Sequence, residues 1–229
     1  SIVVGHYVGD NALAAVGSSA PILKLLLALF VGISTGAGIV ISQNFGAGNR
    51  EKLSESIGNC ITLAAIASLI TMAVGVLVTT PMLRLLDTPA SIIDWSAGYL
   101  HIIFWGVAGC AFYNILSGIL RGLGDSVSAL AFLLLSTVLN IALDVWFVAR
   151  FGMGVPGVAL ATVLAQGISA ILCLVKLLCM RDIFDLTLST LRLRRDSALR
   201  IVRIGVPSGI TQAIMSLAML VVQSLTNSM

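Results

Sequence analysis

Charge is what this sequence has least of. Only 10% of its 229 residues are Asp, Glu, Lys or Arg, against 58% hydrophobic ones, and the mean hydropathy is +1.06. A soluble chain of this length could build a core, but it could not cover so much apolar surface with so few charges. No run of Lys or Arg is interleaved with aromatics, which leaves nucleic-acid binding without support. The four cysteines (Cys60, Cys110, Cys173 and Cys179) lie far apart inside apolar stretches. That spacing suits neither a zinc site nor a secreted disulfide framework, and it reads as buried small hydrophobes. No nucleophile–base pair or metal constellation appears in the loops or apolar runs, so an enzyme is not expected. Initiator Met and signal peptide are also missing. The chain opens at Ser1 and stops at Met229 inside apolar runs, as expected of a fragment of a longer protein.

What the sequence does have is long apolar runs. A bilayer core takes about 20 apolar residues per helix, and the chain divides on that scale. Residues 2–8 read as the tail of a first span and 12–45 as a second, long enough that its first turns stand outside the hydrocarbon. A third covers 57–86, with Pro81 ending or kinking it. The fourth covers 92–120, the fifth 126–149 and the sixth 155–178. Residues 205–229 begin a seventh, with Pro207 in its first turn, where a missing N–H costs little. Residues 182–204 are polar and basic, with Leu188, Leu191, Leu199, Ile201 and Val202 among the charges. They are expected to form an interfacial linker, part of it an amphipathic helix on the membrane surface. The expected fold class is therefore all-α, a polytopic membrane bundle over 1–180, followed by a linker over 181–204 and the start of a second unit over 205–229.

Loop charges orient the bundle. If the spans alternate sides, one face receives Arg50, Lys52, Arg121, Lys176, Arg181, Arg192, Arg194, Arg195, Arg200 and Arg203, and the other only Arg84 and Arg150. Positive loops stay inside, so the richer face, including the linker, is expected to be cytoplasmic. Lys24 falls near the outer interface, where a long side chain snorkels to the headgroups.

Against this background one acid stands out. Asp144 is the sole charge between Ser126 and Ala149. A charge at the centre of a membrane helix costs at least about 2.5–3.5 kcal/mol, so such residues mark ion or substrate pathways. It must be neutralised by a proton, a bound cation or a Lys/Arg partner. No Lys or Arg is near it in the fifth or sixth span, which leaves the first two. Asn140 lies one turn before Asp144 on the same face, as Thr162 and Gln166 do on the next span. Carboxylate, amide carbonyl and hydroxyl are the oxygen ligands that a hard cation such as Na⁺ takes. Counting outward to the turn at Met153, Asp144 and Thr162 fall at one depth, and Asn140 and Gln166 one turn deeper.

Several segments together resemble a known family. Residues 139–147, with Asn140 and Asp144, and 152–162, ending in Thr162, are similar to the fifth and sixth helices of multidrug and toxic compound extrusion (MATE) transporters. Residues 4–17 resemble that family's first outer turn. Residues 32–38, 42–49 and 119–125 resemble the inner ends of its second and fourth helices, and 205–209 the opening of its seventh. The resemblance implies one six-helix lobe of a twelve-helix antiporter. In such a transporter, cationic and often lipophilic drugs and toxins leave across the plasma (inner) membrane as Na⁺ or H⁺ enters. It also implies a cation site using an Asp on helix one, an Asn and Asp four apart on helix five, and a Thr on helix six. Asn140, Asp144 and Thr162 match the last three, and the first-helix Asp is expected just before Ser1. The partners implied are small organic cations, Na⁺ or H⁺, the lipid bilayer and a missing carboxy-terminal lobe; no further cofactor is implied.

Gln166, Asn114 and Tyr113 are candidates for a substrate cleft, with packing the alternative for the last two. His6 and His101 read as interfacial, and Trp95, Trp105 and Trp146 as interface anchors or packing. The Gly32/Gly36 and Gly118/Gly122 spacings suggest close helix contacts. Two other functions fit the architecture: a flippase for a lipid-linked or polysaccharide precursor, and a non-transporting membrane interaction module.

Overall fold

Every regular element described is a helix in the computed structural model, which describes residues 9–86, 88–180, 182–187 and 189–227. The helices are α1 (Asp10–Gly46), α2 (Arg50–Leu85), α3 (Ile93–Trp105), α4 (Val107–Gly122), α5 (Ser126–Val145), α6 (Gly154–Cys179) and α7 (Arg195–Asn227). A π-helical turn, Trp146–Arg150, closes α5. Among the described residues four helices are long and apolar enough to cross a membrane, or five spans if α3 and α4 make one bent span. The expected span tail at 2–8 lies outside the described residues, as do His6, Arg181 and Leu188.

Polar caps set two helix starts. Asn49 accepts the Lys52 N–H at 3.0 Å, so α2 begins at Arg50 rather than at 57, before its apolar run does. Asp125 accepts the Ser128 N–H at 3.0 Å and starts α5 at the expected residue. The fourth span is not one rod as expected. It breaks at Gly106 and bends by 52°, and a side chain at Gly106 would run into Val163 of α6.

The linker departs from expectation in one respect. Residues 182–187 and 189–194 form turns and loops, and the helical part of the linker, 195–204, is continuous with the last helix as the start of α7, so Pro207 lies about three turns inside that helix rather than in its first turn. A polar face on the first third of α2 holds these turns. Arg50 pairs with Asp185, Ser54 accepts the Asp185 N–H (2.9 Å), Asn59 accepts the Arg194 N–H (2.8 Å), and Thr62 donates to the Leu191 carbonyl (2.7 Å). Each bond satisfies a linker backbone group or charge that would otherwise need water, which is why an irregular segment is stable here.

Small residues let the spans approach closely. A Cβ on Gly32 would sit 2.6 Å from Gly209 Cα, and one on Gly36 would meet the Ile201 carbonyl, so α1 and α7 cross backbone to backbone. Gly118 of α4 packs against Ser34 of α1 in the same way. The apolar core falls into two clusters. The one on the side of the linker, called the inner cluster, joins Val40, Ile57, Ile115, Leu120, Cys173 and Phe184. The outer one joins Phe30, Leu83, Tyr99, Leu100, Val107 and Val158. Between them on α6 lie Thr162, Gln166 and Ser169, and at the matching height Ser34 on α1 and Asn114 on α4. That polar band carries the candidate site.

Candidate cation site

Asp144 lies in the last turn of α5 and is 9% exposed. Its Oδ1 is buried and has no hydrogen-bond partner among the described residues. One turn earlier, Asn140 donates from Nδ2 to Thr162 Oγ1 across the α5–α6 contact at 3.2 Å. Thr162 Oγ1 donates in turn to the Val158 carbonyl one turn back on α6 (3.0 Å). The hydroxyl thus has its own donor used and accepts from the amide. This fixes Asn140 with its nitrogen towards Thr162, leaving the amide oxygen as a free acceptor.

The pairing differs from the depth count. Asn140, not Asp144, reaches Thr162, which centres the hairpin near Phe151 instead of Met153. A π-turn at Trp146–Arg150 lies between Asp144 and the hairpin and contributes to this shift, because an i→i+5 turn spends more residues per turn than an α-turn. Asp144 therefore stands about one turn further out than Thr162.

Of the remaining candidates, Gln166 lines a cavity of about 110 Å³ together with Thr162, Cys110 and Gly106. Its Oε1 is buried without a partner among the described residues. Tyr113 is buried in the inner apolar cluster. Asn114 returns its amide to the Cys110 carbonyl (2.8 Å), and its own carbonyl accepts from Ser34 Oγ (2.6 Å). Neither joins Asp144.

The structure adds two groups that the sequence reading missed. Tyr99 of α3 is buried and within electrostatic reach of Asp144. No spacing in the sequence connects it to α5. Ser169 is fully buried with an orphaned Oγ. It continues the Thr162–Gln166 spacing along α6, which could have revealed it.

The donor set is one carboxylate oxygen, one amide oxygen and one hydroxyl, which suits a hard cation or a proton. Among the described residues no group of three or more His, Cys, Asp or Glu gathers to form a softer metal site. The orphaned Oδ1 fits the same reading, since a buried carboxylate with no hydrogen-bond partner among the described residues is costly.

The comparisons with known proteins agree with this architecture. Residues 1–146 match the family model MatE. The chain is 34% identical to the probable multidrug resistance protein YoeA of Bacillus subtilis (strain 168), over 99% of this chain and 50% of that protein. It is 29% identical to the probable multidrug resistance protein NorM of Thermotoga maritima, over 95% of this chain and 47% of that one. Among solved structures, it matches a multidrug resistance MATE family transporter of the MOP superfamily in the outward-facing conformation. There the TM-score is 0.89 and the identity 29%, covering 96% of this chain and 49% of that one. An inward-facing structure of such a transporter gives the same TM-score and identity, covering 95% and 50%. The chain spans about half the length of the curated relatives it matches.

Proposed function

The chain belongs to the MatE family, and from that membership we propose that it forms the amino-terminal lobe, the linker and the first helix of the second lobe of a cation-coupled antiporter. In this reading the whole transporter exports small organic cations across the plasma membrane, with Na⁺ or H⁺ entering in exchange. The linker between the lobes lies on the cytoplasmic side.

One observation carries the proposal: a buried Asp144 with an orphaned carboxylate oxygen stands beside an amide that Thr162 holds in a fixed orientation. Asp144 supplies the charge that the site needs. Thr162 positions Asn140, and the amide and hydroxyl oxygens replace part of a cation's water. A proton on the carboxylate would cancel the same charge. In either case neutralising Asp144 weakens the lobe's hold on a positively charged cargo, which ties cargo release to ion entry. The equal likeness of the chain to an outward-facing and an inward-facing transporter supports a lobe that keeps its internal packing while access alternates.

The test is efflux of a cationic dye by the full-length transporter carrying Asp144→Asn, under separate Na⁺ and H⁺ gradients. Efflux should fall at least about tenfold under the gradient that drives the native protein, the loss of one transition-state interaction of roughly 1.4 kcal/mol or more. Unchanged efflux under both gradients would overturn the proposal.

A further inference from the structure

On α6, Thr162, Gln166, Ser169 and Cys173 recur at steps of four, three and four, which keeps them within an arc of about 60° on one helix face. This face starts at the Asn140–Thr162 bond and runs inward through the band between the two apolar clusters. Two of its oxygens, Gln166 Oε1 and Ser169 Oγ, are buried without partners among the described residues. A buried oxygen without a partner is costly, and two in succession on one face, level with a cavity, point to something that they serve. The cavity of about 110 Å³ lies where the α3–α4 span breaks, and Thr162 and Gln166 are its polar side chains. A water needs about 10–15 Å³ of such space, so the cavity has room for several waters, or for one cation with part of its hydration shell.

Further in, the face meets a cation of the protein itself. Arg121 of α4 donates to Ser117 Oγ (3.2 Å) and Ser34 Oγ (3.3 Å), and it lies within electrostatic reach of Cys173. No carboxylate pairs with it among the described residues. Its positive charge raises the barrier to any cation moving on towards the inner surface.

We propose that Thr162 and Gln166, with Ser169 behind them, form a second and uncharged cation station about one turn inward of Asp144. It takes a partly hydrated hard cation or hydronium that shuttles between the two positions, while Arg121 closes the inner end. The proposal rests on the coupling role of Asp144 and extends it. Thr162 serves both positions, since its hydroxyl borders the cavity and also holds Asn140. The neutral station lets the cation leave the carboxylate in steps, so release does not have to break every ligand bond at once.

Moving the charge tests this. Equilibrium binding of ²²Na⁺, or of protons followed with a pH indicator, is measured on the full-length transporter as wild type, Asp144→Asn, Gln166→Leu, Ser169→Ala and Asp144→Asn/Gln166→Glu. Thermal unfolding of each variant checks that it is folded. Asp144→Asn should abolish binding, and Gln166→Leu should weaken it roughly tenfold. The double variant should restore it, because the new carboxylate stands at the second station. A folded double variant that stays silent, together with native affinity in Gln166→Leu and Ser169→Ala, overturns the station. If Asp144→Asn binds like the wild type, the coupling role fails instead, and the station is then judged by Gln166→Leu alone: weakened binding supports it, and unchanged binding overturns it.

Discussion

Arg50 grips Asp185 with two parallel bonds, Nε to Oδ2 at 2.9 Å and Nη2 to Oδ1 at 3.0 Å, and so joins the first residue of α2 to a segment far along the chain. The forked geometry is the strong form of an ion pair. Arg50 also donates to the Asp182 carbonyl, so one guanidinium holds the start of the linker at two points.

This clamp should release in acid. The Arg50 bonds hold the Asp185 carboxyl below its usual range. A folded-state pKa that is depressed stabilises the docked linker above the ordinary carboxylate value, and the contribution is lost as pH falls through the lowered one. Limited proteolysis within 182–194 should therefore stay slow from neutral to mildly acidic pH and accelerate below the usual carboxylate range. Asp185→Asn should be cleaved faster at neutral pH, and high salt should narrow the difference, because both side chains are exposed. Identical cleavage of variant and wild type at all pH values would count against the clamp.

Gly58 should tolerate no side chain. A Cβ there would run into the Thr190 carbonyl, which is backbone and has little room to yield. Gly58→Ala should lower the thermal midpoint by an amount corresponding to about 1–3 kcal/mol, the usual cost of overpacking. It should also expose 182–194 to protease. A neutral result in both assays would mean that the linker does not sit against α2.

Asp125 combines two roles that substitution can separate. Its side chain caps α5 through Ser128, and it pairs with Lys176 of α6 at 3.5 Å. The bonds to Ser128, with Lys176 adding to them, hold its carboxyl below the usual range. Asp125→Asn keeps an amide oxygen able to cap and removes the ion pair, so it should cost little. Asp125→Ala removes both and should cost about 0.5–2 kcal/mol in reversible unfolding. Equal losses would show that the cap contributes nothing. The stabilisation from the ionised form should again fade as pH drops through the depressed value.

Asn140 and Thr162 should be energetically coupled. A double-mutant cycle with Asn140→Leu and Thr162→Val, read by unfolding in detergent, should give a coupling of about 0.6 kcal/mol, and at most roughly 1.7. Thr162→Ser keeps the hydroxyl and should retain most of it. Strict additivity would mean that the bond does not form in the membrane.

The spans were legible because burial in lipid demands one thing of a sequence, long apolar runs, and α1, α5 and α6 begin and end within a few residues of where those runs do. The break at Gly106 was not legible, since glycines recur throughout these spans, and the Val163 side chain that fills the space of a Cβ here comes from a helix more than fifty residues further on. The burial of the linker was less legible. Leu199, Ile201 and Val202 lie in a helix, as part of the linker was expected to, but Ile201 is fully buried against the inner core. The docking face on α2 is built from Arg50, Ser54, Asn59 and Thr62, whose partners lie more than a hundred residues away.

Sequence alone determined that this chain crosses a membrane and that Asp144, Asn140 and Thr162 are its costly polar groups, because the penalty for charge and amide in hydrocarbon depends on residue type and the length of the apolar run. Tertiary structure decided which of them touch. The packing of α5 against α6, with a π-turn between Asp144 and the hairpin, gives Thr162 to Asn140 and leaves the Asp144 oxygen without a partner among the described residues. Which groups meet depends on how height accumulates along two packed helices, and no residue type records that.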